Sequence, residues 1–199
     1  MRCCAPYVVS VVGLRRLFSQ IAQDAFSGGA VVSDPISGEL LDSVTYPSTG
    51  FYIGPSGTKE ALEQDPVTAV FVMIDDIIFK RTSSGLVTSD EDDQGGLYKT
   101  YLASSKLSFL VRHEDSEVAL AMSETTGQYV DAMSVGIGDQ VPGITKLNLV
   151  RVGTYRPERS TPLHRVSSVA EFELEFNSAL RIVPVTPPIT KIALDIDAA

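Results

Sequence analysis

A chain of 199 residues with 44% hydrophobic content is one domain's worth of sequence. It can hide roughly 70% of its unfolded surface on folding, which excludes wholesale disorder. Its formal charge of −9 argues against tight nucleic-acid binding, since Lys and Arg supply most of that affinity, while leaving room for a protein that DNA only passes by. The two cysteines, Cys3 and Cys4, are adjacent and build no disulfide framework, and with only His113 and His164 as further soft donors neither a metal nor a cofactor is expected.

The apolar run from Cys3 to Leu14 is too short to span a bilayer and is followed by Arg15-Arg16, so no membrane partner is expected. The periodicity predicts a helix from Tyr7 to Ala25, with Val11, Leu14, Phe18, Ile21, Ala22 and Ala25 on one face, Pro6 near its start and Gly28-Gly29 at its end. Residues 27–66 are punctuated by Pro35, Gly38, Pro47, Gly50, Gly54, Pro55, Gly57 and Pro66. They read as an extended loop or arm with short strands at Leu40–Tyr46 and Gly50–Ile53 and a turn or two of helix at Lys59–Gln64.

Val67 to Phe79 is nearly all apolar and β-branched, the pattern of a strand buried on both faces, with Asp75-Asp76 marking a bulge or bend. Thr82 to Gly96, carrying Asp90-Glu91-Asp92-Asp93, reads as an acidic hairpin tip, and Leu97 to Arg112 as one long strand or two short ones. A second helix is expected from Ser116, its N-cap, to Ser134, with Val118, Met122, Thr125, Tyr129 and Ala132 on one face and Gly136 closing it. Ile144–Tyr155 and Val169–Phe176 are strands, with Leu180–Val185 continuing the second or pairing with it. In Val169–Phe176, Phe172, Leu174 and Phe176 alternate with Glu171, Glu173 and Glu175. Beyond Pro187-Pro188, Ile192, Leu194 and Ile196 alternate with Lys191, Ala193, Asp195 and Asp197, a C-terminal strand or arm over 187–199.

The expectation for the whole is a single α+β domain over 1–199: a mixed, mostly antiparallel sheet of four to six strands with two packed helices and a long inserted loop. No catalytic constellation emerges. Gly54-Pro55-Ser56-Gly57 reads as a turn, and Gly136-x-Gly138 as a helix stop, because it follows a helix where a dinucleotide loop would open one. His113 beside Glu114 and Asp115 reads as a local hydrogen-bonding or capping group, and Asp90–Asp93 lacks the framework of a calcium loop. Asp75, Asp76 and Glu114 would make a magnesium site only if the fold brought them together. Three glutamates on one strand face need cations opposite, for which Arg151, Arg156, Arg159 and Arg165 are candidates.

The join of Leu107-Ser108-Phe109-Leu110-Val111-Arg112 into a helix over Glu117–Met133 is one part of a familiar element order. The other runs from Leu147-Asn148-Leu149-Val150-Arg151-Val152 through Arg165 to Glu171-Phe172-Glu173-Leu174-Glu175-Phe176. Over Val67 to Val183 this order resembles the tail-terminator, or neck, proteins of tailed bacteriophages; residues 27–66 and the last strand lie outside it. The resemblance implies a non-enzymatic virion subunit, assembled in the host cytoplasm into a homo-oligomeric, commonly hexameric ring. Such a ring caps the tail tube, faces the head connector and lets DNA pass without specific binding. It implies no catalytic, cofactor-binding or metal residues. Asp90, Glu91, Asp92, Asp93, Glu171, Glu173 and Glu175 are then the candidate lumen or interface residues. The alternatives are another connector, tail-tube or capsid-decorating protein, a metal-dependent enzyme using Asp75 and Asp76, and a small cellular binding module.

Overall fold

Helix α1 (Val11–Ser27) begins at Ser10, whose side-chain oxygen accepts from the Gly13 N–H at 3.0 Å. The helix therefore starts later than the Tyr7 expected from the apolar pattern. Val9 is still outside it, held by its N–H donating to the Asn177 carbonyl at 3.0 Å. Leu14, Phe18, Ile21, Ala22 and Phe26 are buried, and the chain turns out of the helix at Gly28 and through Gly29 at φ 78°. The computed structural model describes residues 9–33, 40–58, 66–80, 90–91, 97–155 and 166–182.

Strands β1 (Ala30–Ser33) and β2 (Leu40–Val44) pair antiparallel as a small sheet of their own. The sequence pattern places β2 and misses β1. Next come β3 (Phe51–Pro55), β4 (Thr68–Ile74), β5 (Ile78–Lys80), β6 (Asp90–Glu91) and β7 (Leu97–His113). Helix α2 (Ser116–Gln140) follows, then β8 (Ile144–Tyr155) and β9 (Val166–Ile182). Among the described residues the main sheet has seven strands: β3-β4-β7-β9-β8 in order, with short β5 and β6 also on β7. Among the described residues only β3 and β4 run parallel. The architecture is α+β with a mixed, mostly antiparallel sheet. The expected helix at Lys59–Gln64 and the C-terminal strand or arm over 187–199 lie outside the described residues.

The frame of the sheet is the ladder between β7 and β9, each 17 residues long, paired without a register shift from Leu97–Ile182 to His113–Val166. The apolar-acidic alternation of Val169–Phe176 thus belongs to one long strand. Beside β7, β4 and β5 behave as one interrupted strand: Ile74 pairs with Leu107 and Ile78 with Ser104, so three residues face two. The bulge falls at Asp75–Ile77, where the Asp75 N–H donates to the Lys106 carbonyl and the Ser105 hydroxyl donates to the Asp75 carbonyl, both at 3.0 Å.

Both helices lie on one face of this sheet. Val70, Val72, Leu107, Phe109, Ala170, Phe172, Leu174 and Phe176 point there and pack against Leu14, Phe18, Val118 and Met122. Edge-to-face contacts link Phe18 to Phe109 at 6.3 Å and Phe109 to Phe172 at 5.8 Å. Each fully buried phenylalanine contributes about 1.5–3 kcal/mol by leaving water.

Helix α2 departs from the expected pattern in two ways. Asp115, not Ser116, is the N-cap, accepting from the N–H groups of Glu117 and Val118. The helix then runs through Gly136 and Gly138 to Gln140 instead of closing at Gly136. Each interior glycine costs about 1 kcal/mol relative to Ala, but Ile137 between them is buried and Val141 packs against the core, which offsets that cost. At Gly127 the helix rests against the sheet: a side-chain carbon there would stand 3.2 Å from Val152 Cγ2 and 3.4 Å from Ala170 Cβ.

Candidate functional site

The face turned away from the helices divides into two regions. At the β3–β4 end, Tyr52, Ala69, Phe71, Leu110 and Val169 form a second, smaller apolar cluster, with the Arg112 guanidinium 5.3 Å above the Phe71 ring. Further along β9 the same face turns charged. Period-two alternation puts Glu171, Glu173 and Glu175 there, opposite the buried Phe172, Leu174 and Phe176.

Cations from three other strands meet these carboxylates. Glu171 lies between Lys106 of β7 at 3.6 Å and Arg151 of β8 at 3.0 Å and is only 14% exposed. Glu173 accepts from Lys146 at 2.8 Å, and Glu175 from Lys80. The Lys80 hydrogen bond holds the Glu175 carboxyl below its ordinary range, and the bond to Glu173 raises Lys146 above the usual lysine value. Four cations therefore face three glutamates, and every carboxylate of the ladder has the opposing cation that three like charges on one strand face call for. Arg151 is among the cations anticipated from the sequence. Lys80, Lys106 and Lys146 were missed, because nothing local to β9 says which residues of β5, β7 and β8 will lie beside it. Arg156, Arg159 and Arg165 lie outside the described residues.

Beside the ladder runs an open groove of about 820 Å³. Lys106, Glu171 and Glu173 lie along it, and Asp75, Asp76 and Ile78 line one side with Val150 on another. Ile78 and Val150 are 63% and 64% exposed, whereas Phe79, paired with Ala103, stands on the opposite face. Val150 is turned out by a bulge: β8 slips register against β9 between Leu149 and Arg151. Apolar tips beside a ladder of paired charges form a surface suited to contact with protein, where charge pairs set register and apolar tips supply burial.

The other candidates fall apart in space. Asp90 and Glu91 pair with Tyr98 and Leu97 at the far end of β7, about 20 Å along the strand from the Ser104–Glu175 pair; Asp92 and Asp93 lie outside the described residues. Asp75 bonds to Lys106, whereas Glu114 lies beyond the other end of β7, so the fold does not unite Asp75, Asp76 and Glu114. Among the described residues no group of three or more His, Cys, Asp or Glu is placed to hold a metal ion. His113 Nδ1 accepts from the Asp115 N–H at 3.0 Å, a local bond that shapes the turn into α2. Among the described residues no helix is long and apolar enough to cross a membrane. Comparison of the chain with protein families and with curated proteins finds no match.

Proposed function

We propose that the chain is a non-enzymatic structural subunit that assembles into a ring at the head–tail neck of a tailed bacteriophage, capping the tail tube while DNA passes through the hole. The observation that carries the reading is the open sheet face, where a ladder of paired charges on β9 adjoins the exposed apolar tips Ile78 and Val150. Such a surface suits a subunit interface. A DNA channel is a poorer use for it, since the four cations would hold phosphate. The DNA-facing role in this proposal falls to the run Asp90-Glu91-Asp92-Asp93, four acidic residues with no cation among them.

Electron microscopy and native mass measurement of the purified chain test the proposal. The expected result is a closed ring, at six times the 21.4 kDa chain mass if hexameric. Replacing Glu171, Glu173 and Glu175 together by Lys is expected to abolish the ring. A full chain that stays monomeric, alone and with isolated tail tubes, overturns the proposal. Intact triple-variant rings that retain DNA in a salt-sensitive way would reassign the face to the lumen.

A further inference from the structure

The sheet's edges differ in how they are guarded against strand addition. On β3, Pro55 closes the strand and the Gln23 side chain of α1 donates to the Ile53 carbonyl at 3.1 Å. β8 carries two register shifts, and Lys146 and Arg151 stand on it. Bulges, prolines and charged side chains are the usual means of blunting an edge. The end of β9 has none of the first two. β8 stops pairing at Ile144–Phe176, and the Val9 N–H covers the Asn177 carbonyl. From Ser178 to Ile182 the strand keeps perfect register with β7 on one side, and among the described residues no strand pairs with it on the other. This stretch holds no proline, no glycine and a single charge, Arg181.

We propose that this edge receives the C-terminal segment Ile189–Asp197 of a second copy of the chain, added as a strand. The inference rests on the ring reading and says what joins its subunits. Ile192, Leu194 and Ile196 alternate with Lys191, Ala193, Asp195 and Asp197, a period that suits a strand with one apolar side, and Asp195 and Asp197 complement Arg181. The connection argues for a neighbouring copy. Residues 183–188 contain Pro184, Pro187 and Pro188 and neither Gly nor Asn, so they lack the residues of a tight reversal. As a stiff extended spacer they reach about 19 Å, carrying the segment away from its own β9. Each copy then gives one strand and receives one, a head-to-tail contact that closes when the rotation between copies does.

Hydrogen exchange on the assembled full chain tests this directly. Amides of Ser178–Ile182 are expected to exchange at least about tenfold more slowly than in a chain ending at Thr186, and adding a peptide of residues 187–199 to the shortened chain restores the protection. Ile192→Pro with Leu194→Pro, which removes ladder donors from the segment without touching the sheet, is expected to act like the truncation. Crosslinking shows whose segment binds: in a Cys3→Ser, Cys4→Ser background, Arg181→Cys with Leu194→Cys, made in two isotope labels and mixed before assembly, is expected to give mixed-label disulfides. Oligomers that persist with unchanged protection after truncation overturn this inference alone. Same-label crosslinks only, at monomeric mass, show a chain folding back on itself and also overturn it. A full chain that forms no oligomer overturns it together with the ring reading.

Discussion

Gly127, Gly136 and Gly138 lie in one helix, so replacing each by Ala makes the same chemical change in three surroundings. In a helix interior the exchange itself stabilises by about 0.5–1 kcal/mol, because glycine has more backbone freedom to lose. At Gly136 and Gly138 a new methyl meets nothing within 4 Å, so that gain stands. At Gly127 it meets Val152 Cγ2 at 3.2 Å, Ala170 Cβ at 3.4 Å and Leu149 Cδ1 at 3.6 Å. Ala170 is fully buried in β9, paired on both sides, and its Cβ moves only with the backbone. Val152 is stiff at χ1. Crowding of this kind costs about 1–3 kcal/mol, so crowding wins and Gly127→Ala is expected to destabilise by about 1 kcal/mol net. At this chain length that is about 2–4 °C of melting temperature lost, against a rise of about 1–4 °C for Gly136→Ala. Thermal unfolding by circular dichroism, with urea midpoints as a second measure, reads both. A Gly127→Ala chain that melts as high as Gly136→Ala would refute the close helix–sheet contact and the order of magnitudes built on it.

Asp115→Ala removes the acceptor of two N–H groups at the start of α2 and is expected to cost about 1 kcal/mol, with Asp115→Asn costing less, as read from urea midpoints. Glu171→Gln weakens both the Lys106 and Arg151 contacts; with each cation about half exposed, the loss is expected to be about 0.5–1.5 kcal/mol, and a double-mutant cycle with Arg151→Met recovers the coupling. Because the Glu175 carboxyl is depressed by the Lys80 hydrogen bond, its contribution is present above the ordinary carboxyl value of 4.5 and lost as pH falls through the lowered value. Lys146 is raised, so its contribution is present below the ordinary value of 10.5 and lost as pH rises through the raised value. Stability measured against pH should therefore bring Lys80→Met level with the parent chain at the acid end, and Lys146→Met level with it at the alkaline end.

What could be read in the sequence follows from how far each signal reaches along the chain. β8 is bounded as the pattern predicts, at Ile144 and Tyr155, and the Glu171–Glu175 alternation sits on one strand face because period two is a local property. The bulge at Asp75–Ile77 was signalled by two acids interrupting an apolar run. Local reading failed where a distant contact outweighed a local preference. Gly136 reads as a stop until Ile137 is seen to be buried, and Pro6 reads as a helix start until Ser10 is found capping Gly13 and Val9 tied to Asn177. Nothing local to Gly127 says that the sheet stands against it, within 3.2 Å of where a side-chain carbon would be. The cations of the candidate face come from β5, β7 and β8, and only the fold assembles them.

The unbroken ladder between β7 and β9 has a consequence for how the chain folds. Its pairs are far apart in sequence, least so at His113–Val166, where α2 and β8 fill the gap, and most so at Leu97–Ile182. Loop closure is cheapest at the near end, so strand zippering should begin beside α2 once α2 and β8 have met β9, and proceed outward. The last pairs to form are those of Leu97–Tyr101 with Ser178–Ile182, beyond the reach of β8. The last part of the ladder to close and the edge that no described strand covers are thus the same stretch of chain. An incoming neighbour would meet this strand just as it closes, which would make docking of the neighbour and completion of the sheet a single step.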